Sequence, residues 1–162
     1  MSAAVTETHH LVTLRVENRS GVLVRIAGLF ARRGYNIVSL AVAPTEDTRF
    51  SRVSIVVDVE SAPLQQIVDQ LDKLVNVVAI FELAPDDAYT SELLLATVGA
   101  RPEAIAALVA DAGAQIVDRS DGSVTVQLTA HPDQLDTFAQ ALAGFGIIEL
   151  QRTGRIALPK LS

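Results

Sequence analysis

The chain has 162 residues, room for one medium domain or two small ones, and its 49% apolar but only 4% aromatic content calls for an aliphatic core. A net charge of −6 argues against nucleic acid or an anionic membrane as partner, since phosphate binding needs clustered Lys and Arg. With no cysteine, disulfides, thiolate catalysis and cysteine metal sites are excluded, and the absence fits a cytoplasmic protein.

Residues 1–10, MSAAVTETHH, read as an N-terminal extension with neither the basic start nor the apolar run of a secretory signal. No apolar run approaches the length of a membrane span. From residue 11 the pattern becomes regular. Val12, Leu14 and Val16 alternate with polar residues and predict a half-buried strand. SGVLVRIAGLFARRG then predicts a helix with Val22, Leu23, Ile26, Leu29 and Phe30 on one face, stopped by Gly34. YNIVSLAVA and FSRVSIVVDV predict two strands around the loop PTEDT. Ser61 suits an N-cap and Pro63 a first helical turn, opening a helix that buries Leu64, Ile67, Val68, Leu71 and Leu74. VNVVAIFEL closes the unit as a strand.

Residues 84–91 are polar, carry Pro85 and read as a linker. The same order then repeats over residues 92–162. ELLLATV is a strand, and RPEAIAALVADAG is a helix bounded by Pro102 and Gly113. AQIVDRS and SVTVQLT are strands joined around Asp121-Gly122, a hairpin signal. HPDQLDTFAQALAGFG is a helix with Leu135, Phe138 and Leu142 inward, and IIELQRTGRIAL is a last strand bent near Gly154. Two β-α-β-β-α-β units predict an α+β protein of two tandem ferredoxin-like sandwiches, covering residues 11–83 and 92–162. Each sheet then carries helices on one face only. The other face and the sheet edges would invite pairing with a second copy.

Catalytic constellations are missing. His9, His10 and His131 have no metal-ligand spacing, His131 suits a helix cap before Pro132, and there is neither a nucleophile elbow nor a Walker loop. The pairs Glu46-Asp47 and Asp86-Asp87 read as solvated loops. One feature stands apart. Asn18, Ser20 and Gly21 precede the first helix, and Asn36 follows it. Two readings are open: plain helix capping, or a seat for a carboxylate at the helix start, where free N–H groups and partial positive charge favour an anion. The neutral amides of Asn18 and Asn36 suit an amino acid zwitterion better than a phosphate.

The run from Val16 to Asp58 resembles the small, regulatory subunit of acetolactate synthase (acetohydroxyacid synthase), and its first unit resembles that family's ACT domain. The matching residues are Glu17-Asn18, Gly21, Leu23, Gly28-Leu29-Phe30, Arg33-Gly34-Tyr35-Asn36-Ile37, Ser39-Leu40, Thr45 and Ser51-Arg52, followed by QLDKLVNVVAI at Gln70 to Ile80. The likeness continues more loosely through QIVDRSDGSVTVQLT, LDTF and RTGRIAL. It implies a non-catalytic subunit that binds and activates the large subunit, which would hold thiamine diphosphate, Mg and FAD, while this subunit needs no cofactor or metal. It also implies feedback inhibition by branched-chain amino acids, usually valine, in isoleucine, valine and leucine biosynthesis. By position, Asn18, Gly21, Val22 and Leu23 would hold the effector, and Asn36 and Ile37 would come from the facing subunit of an ACT homodimer. Val38 stands where the family commonly has Glu, and Ser91 and Thr97 stand where basic residues are usual.

Three rival readings remain at this stage. A free-standing ACT-type amino acid sensor would have another partner. An RNA-binding pair of domains would need aromatic stackers and a basic sheet face, and RVSIVVDV offers neither. An enzyme would need an acid, base and nucleophile cluster.

Overall fold

Strict alternation makes β1 (His9–Glu17) a strand with Val12, Leu14 and Val16 buried on one face. There follow α1 (Val22–Arg33), β2 (Asn36–Pro44), β3 (Phe50–Asp58), α2 (Leu64–Asp72) and β4 (Val77–Glu82). The computed structural model describes residues 9–58 and 64–161, so the expected cap at Ser61 and Pro63 lie outside the described residues. The strands form one antiparallel sheet in the order β2-β3-β1-β4. The chain's contacts divide it into a first unit, Met1–Tyr89 with Ala157–Ser162, and a second, Thr90–Ile156.

In the first unit the core lies between the helices and one sheet face. Val12, Leu14, Val16, Val53, Ile55 and Val57 meet Ile26, Leu29 and Phe30 of α1 and Ile67 and Leu71 of α2. Each such side chain is worth about 1.5–3 kcal/mol when fully buried. Leu23 departs from the expected face and is 41% exposed. The buried row is Val22, Ile26, Leu29 and Phe30, and a residue adjacent to Val22 is turned about 100° away from that row. Val68, beside Ile67, is half-buried for the same reason.

The opposite sheet face is not left bare along its middle. Thr13, Ser54 and Val56 point that way and are buried. On that face Arg15 lies over the Phe50 ring at 4.5 Å and Arg52 over Phe81 at 5.6 Å, so long arginine stems help to cover it.

The second unit is built from β5 (Ala88–Val98), α3 (Pro102–Ala112), β6 (Gln115–Arg119), β7 (Val124–Ala130), α4 (Pro132–Ala143) and β8 (Ile147–Arg152). Its strand order, β6-β7-β5-β8, follows the same path as the first sheet. Residues 84–91 hold a 3-10 turn at Pro85–Asp87, and β5 is already under way at Ala88. The core joins Leu94, Ala96, Val98, Val124 and Val126 to Ile105, Leu135, Phe138 and Leu142. His131 caps α4: its Nδ1 accepts from the Asp133 N–H, and the Gln134 side chain accepts from the His131 N–H. Thr97 faces Thr125 across the strands, their hydroxyls 2.9 Å apart.

The expected last strand is two strands, β8 and β9 (Ile156–Pro159), separated by a bend in which Gly154 is buried with φ +87°. Glu92, itself buried, holds this bend. Its carboxylate accepts from Arg152 Nε at 3.1 Å, from Arg152 Nη2 at 2.7 Å and from the Gly154 N–H at 3.1 Å. Arg152 also bonds Asp136 of α4, and these carboxylates, Glu92 first, raise the guanidinium's pKa above its ordinary value. Glu92→Ala leaves Arg152 short of its main partner and the Gly154 N–H without an acceptor. The expected cost is about 2–3 kcal/mol, since Arg152 keeps some solvent. Urea denaturation of the variant checks it, and a change below about 0.5 kcal/mol contradicts this role for Glu92.

Candidate functional site

The β1–α1 turn begins where β1 runs out at Glu17. Gly21 occupies the N-cap position with φ +82° and ψ −8°, left-handed geometry that L side chains rarely adopt, and no side chain caps the helix. A Cβ at Gly21 would meet nothing within 4 Å, so the turn is open to an approaching group. The first-turn N–H groups of Leu23 and Val24 have no carbonyl four residues back within the helix. No acidic residue stands in that turn to offset the helix dipole. Val22 is buried in the core, whereas Leu23 and Val24 are exposed.

Asn18 is not a cap. Its Nδ2 donates to Thr48 O at 2.9 Å and its backbone N–H to Arg49 O at 2.8 Å, so it is fastened to the β2–β3 loop. That loop is tightly self-bonded. The Thr45 hydroxyl donates to Asp47 O and accepts from the Asp47 N–H. The Asp47 carboxylate accepts from Arg49 Nε at 3.0 and 3.1 Å, from Arg49 Nη2 at 2.6 Å and from the Arg49 N–H at 3.1 Å. Those side-chain bonds, then the backbone bond, hold the Asp47 pKa down to about 2.

A second set of bonds supports the turn from the β4 side. Asn76 donates from Nδ2 to Glu17 Oε2 at 2.7 Å, and its Oδ1 accepts from Arg25 at 2.7 Å. The Asn76 carbonyl also accepts from the Glu17 N–H at 2.9 Å. The end of β1, the first turns of α1 and the entry to β4 are thereby joined by one asparagine. Sequence reading saw Asn76 only within a matched motif and gave it no role. The one available signal was a polar residue inside an apolar run.

Asn36 and Ile37 are placed by the end of α1. Gly34 has φ +70°, its N–H bonds Ala31 O, and the Tyr35 N–H bonds Phe30 O, a Schellman stop that turns the chain into β2. Asn36 is exposed opposite Asp58, and Ile37 is half-buried against the core. The register shifts between Ile37 and Ser39, leaving Val38 as the extra residue of a bulge on an edge strand, 44% exposed. Asn18 adjoins Glu17, which faces Phe50 at the start of β3, whereas Asn36 faces Asp58 at its end. Eight residue steps of strand at about 3.3 Å each keep the two asparagines roughly 25 Å apart along the sheet. One chain therefore brings Asn18, Gly21, Val22 and Leu23 together but not Asn36 and Ile37.

Among the described residues no group of three or more His, Asp and Glu could hold a metal ion, and no helix is long and apolar enough to cross a membrane. What remains is an open, uncapped helix start on a ferredoxin-like unit, where backbone N–H donors stand free to meet an approaching group. Comparison with known proteins defines the class. Residues 12–79 match the model of the AHAS small subunit-like ACT domain, and residues 91–161 match that of the small subunit of acetolactate synthase. The chain is 40% identical over 158 residues to the acetolactate synthase small subunit of Mycolicibacterium smegmatis, covering 96% of this chain and 92% of that one. It is 39% identical over 152 residues to a probable acetolactate synthase small subunit of Archaeoglobus fulgidus, covering 92% and 95%. The crystal structure of the acetolactate synthase small subunit from Thermotoga maritima superposes with a TM-score of 0.86 at 31% identity, covering 95% of this chain and 98% of that one. The chain belongs to the acetolactate synthase small-subunit family, the regulatory and non-catalytic partners of a large catalytic subunit.

The Asp47 pKa has a measurable consequence. A carboxyl depressed in the folded state contributes stability that is full above the ordinary carboxylate pKa and is lost as pH falls through the folded value. The Asp47–Arg49 lock should therefore be constant through neutral pH and open only in strong acid. An NMR titration of the Asp47 carboxyl is expected to show a midpoint near 2, and an ordinary carboxylate midpoint would show the lock absent in solution.

Proposed function

We propose that this chain binds the thiamine-diphosphate-dependent large subunit of acetolactate synthase, raises its rate and makes it sensitive to a branched-chain amino acid, with valine the leading effector. The role lies in isoleucine, valine and leucine biosynthesis. Asn18, Gly21, Val22 and Leu23 of one copy would hold the effector together with Asn36 and Ile37 of a second copy. The observation that carries the shared site is the wide separation of the two asparagines: an amino acid is far too short to touch both in one chain. Edge strand β2 supports the pairing, because Val38 and Val42 stand exposed on it. The uncapped start of α1 suits the effector carboxylate, and exposed Leu23 offers an apolar contact beside it.

Inhibition requires the effector to bind one state of the complex better than another. A ligand spanning two copies meets that condition simply, because its affinity depends on how the copies are placed. Assay of a purified large subunit with and without this chain, across a valine titration, tests the whole reading. Stimulation that valine reverses is expected, and a chain that neither binds nor stimulates the large subunit overturns it.

Gly21→Asp tests the site itself. Aspartate tolerates the left-handed backbone at a cost of about 1–2 kcal/mol, and open space surrounds the new side chain, so its charge is the main change. Calorimetric valine affinity is expected to fall at least about tenfold, roughly 1.4 kcal/mol. Asn36→His is expected to do the same if a second copy completes the site. Unchanged binding in Gly21→Asp removes the turn from the effector site.

A further inference from the structure

We propose that the β2–β3 loop, locked by Asp47 and Arg49, is the positioning element of the effector site, aiming the Asn18 side chain so that its Oδ1 accepts from the ammonium group of an α-amino acid. The inference rests on the effector-site reading above and assigns the two ends of the ligand. Thr48 O can only accept, so the side of the Asn18 amide that faces it must be the NH2 group. The orientation is thus fixed by chemistry, and Oδ1 faces away from the loop. Among the described residues no donor reaches that oxygen. An amide oxygen can only accept, so a carboxylate cannot satisfy it and an ammonium group can. The helix start offers only N–H donors, so it takes the carboxylate. The two halves of a zwitterion are then read by two different devices, one from β1 and one from α1.

The loop matters because it owns the carbonyl. Asn18 donates its side-chain bond to Thr48 O and its backbone bond to Arg49 O, carbonyls of adjacent residues whose shared peptide is held by the Asp47 carboxylate and, through Asp47, by the Thr45 hydroxyl. Loss of the carboxylate releases Arg49 and lets that peptide turn. The Asn18 amide then loses its preferred direction, while the helix start, which shares no bond with Asp47, keeps its donors. Asp47 and Arg49 act through Asn18 and do not touch the ligand.

The readout is discrimination rather than affinity alone. Full-length chain is titrated calorimetrically with L-valine and with L-2-hydroxyisovalerate, which keeps the carboxylate and side chain but has hydroxyl in place of ammonium. The unaltered chain is expected to prefer valine by roughly tenfold or more, the worth of one hydrogen bond to a charged group. In Asp47→Ala the valine affinity is expected to fall about fivefold or more while the hydroxy acid changes less than about twofold, so the preference collapses. Asp47→Asn, which keeps an acceptor for the Arg49 N–H, should retain part of the preference. If Asp47→Ala weakens both ligands equally, or neither, the positioning role is overturned. If the unaltered chain binds valine and the hydroxy acid alike, the ammonium assignment is wrong and the effector site stands. If it binds neither valine, leucine nor isoleucine, the effector-site reading itself fails and takes this inference with it.

Discussion

The register of β1 against β3 is the constraint on which the rest of the first unit depends. Glu17 faces Phe50 and Val16 faces Ser51, so the end of β1 and the beginning of β3 coincide. That coincidence delivers the β2–β3 loop to Asn18. A slip of one residue would carry Val12, Leu14 and Val16 to the wrong face, and the core would expose its central strand. The hydrophobic pattern that makes the fold therefore also sets the turn. The position of Asn18 relative to Thr48 and Arg49 follows from the burial of three valines and leucines a few residues upstream.

Periodicity made the element order legible. Alternation in HLVTLRVEN and FSRVSIVVDV, and the helical spacing of Ile26, Leu29 and Phe30, suffice for the β-α-β-β-α-β path, because those patterns are local and the core confirms them. What escaped was non-local. The partner of Asn18 lies 30 residues away, that of Glu17 lies 59 away, and Glu92 bonds a guanidinium 60 residues away. A hydrogen bond of that kind leaves no spacing in the chain. Leu23 was misread for a different reason. A leucine beside a buried valine looks like core in a list of apolar residues, and only the angular position separates them.

The candidate site shows the same division. Asn18, Gly21 and Asn36 could be named from the chain because their residue types are unusual around a helix. Whether Asn18 capped that helix could not be settled until its amide was seen donating to Thr48. Glu46-Asp47 read as a solvated loop, and in the structure Asp47 accepts four bonds from Arg49 around one carboxylate. In the second unit, the Arg152-Thr153-Gly154 turn lay in a matched motif and Glu92 had no role in the sequence reading, yet the structure joins them in one interaction.

The two units travel the same path, but α1 starts differently from α3 and α4. α1 begins after a left-handed glycine with no side chain over it, whereas α3 and α4 each begin with proline, which removes an N–H, and α4 adds a capping box. Architecture repeated in one chain has thus been specialised by a handful of local choices. The start of α1 keeps its first-turn N–H groups, whereas α3 and α4 each give one up to proline. Whether a glycine or a proline opens the helix decides how many backbone donors its start leaves uncovered.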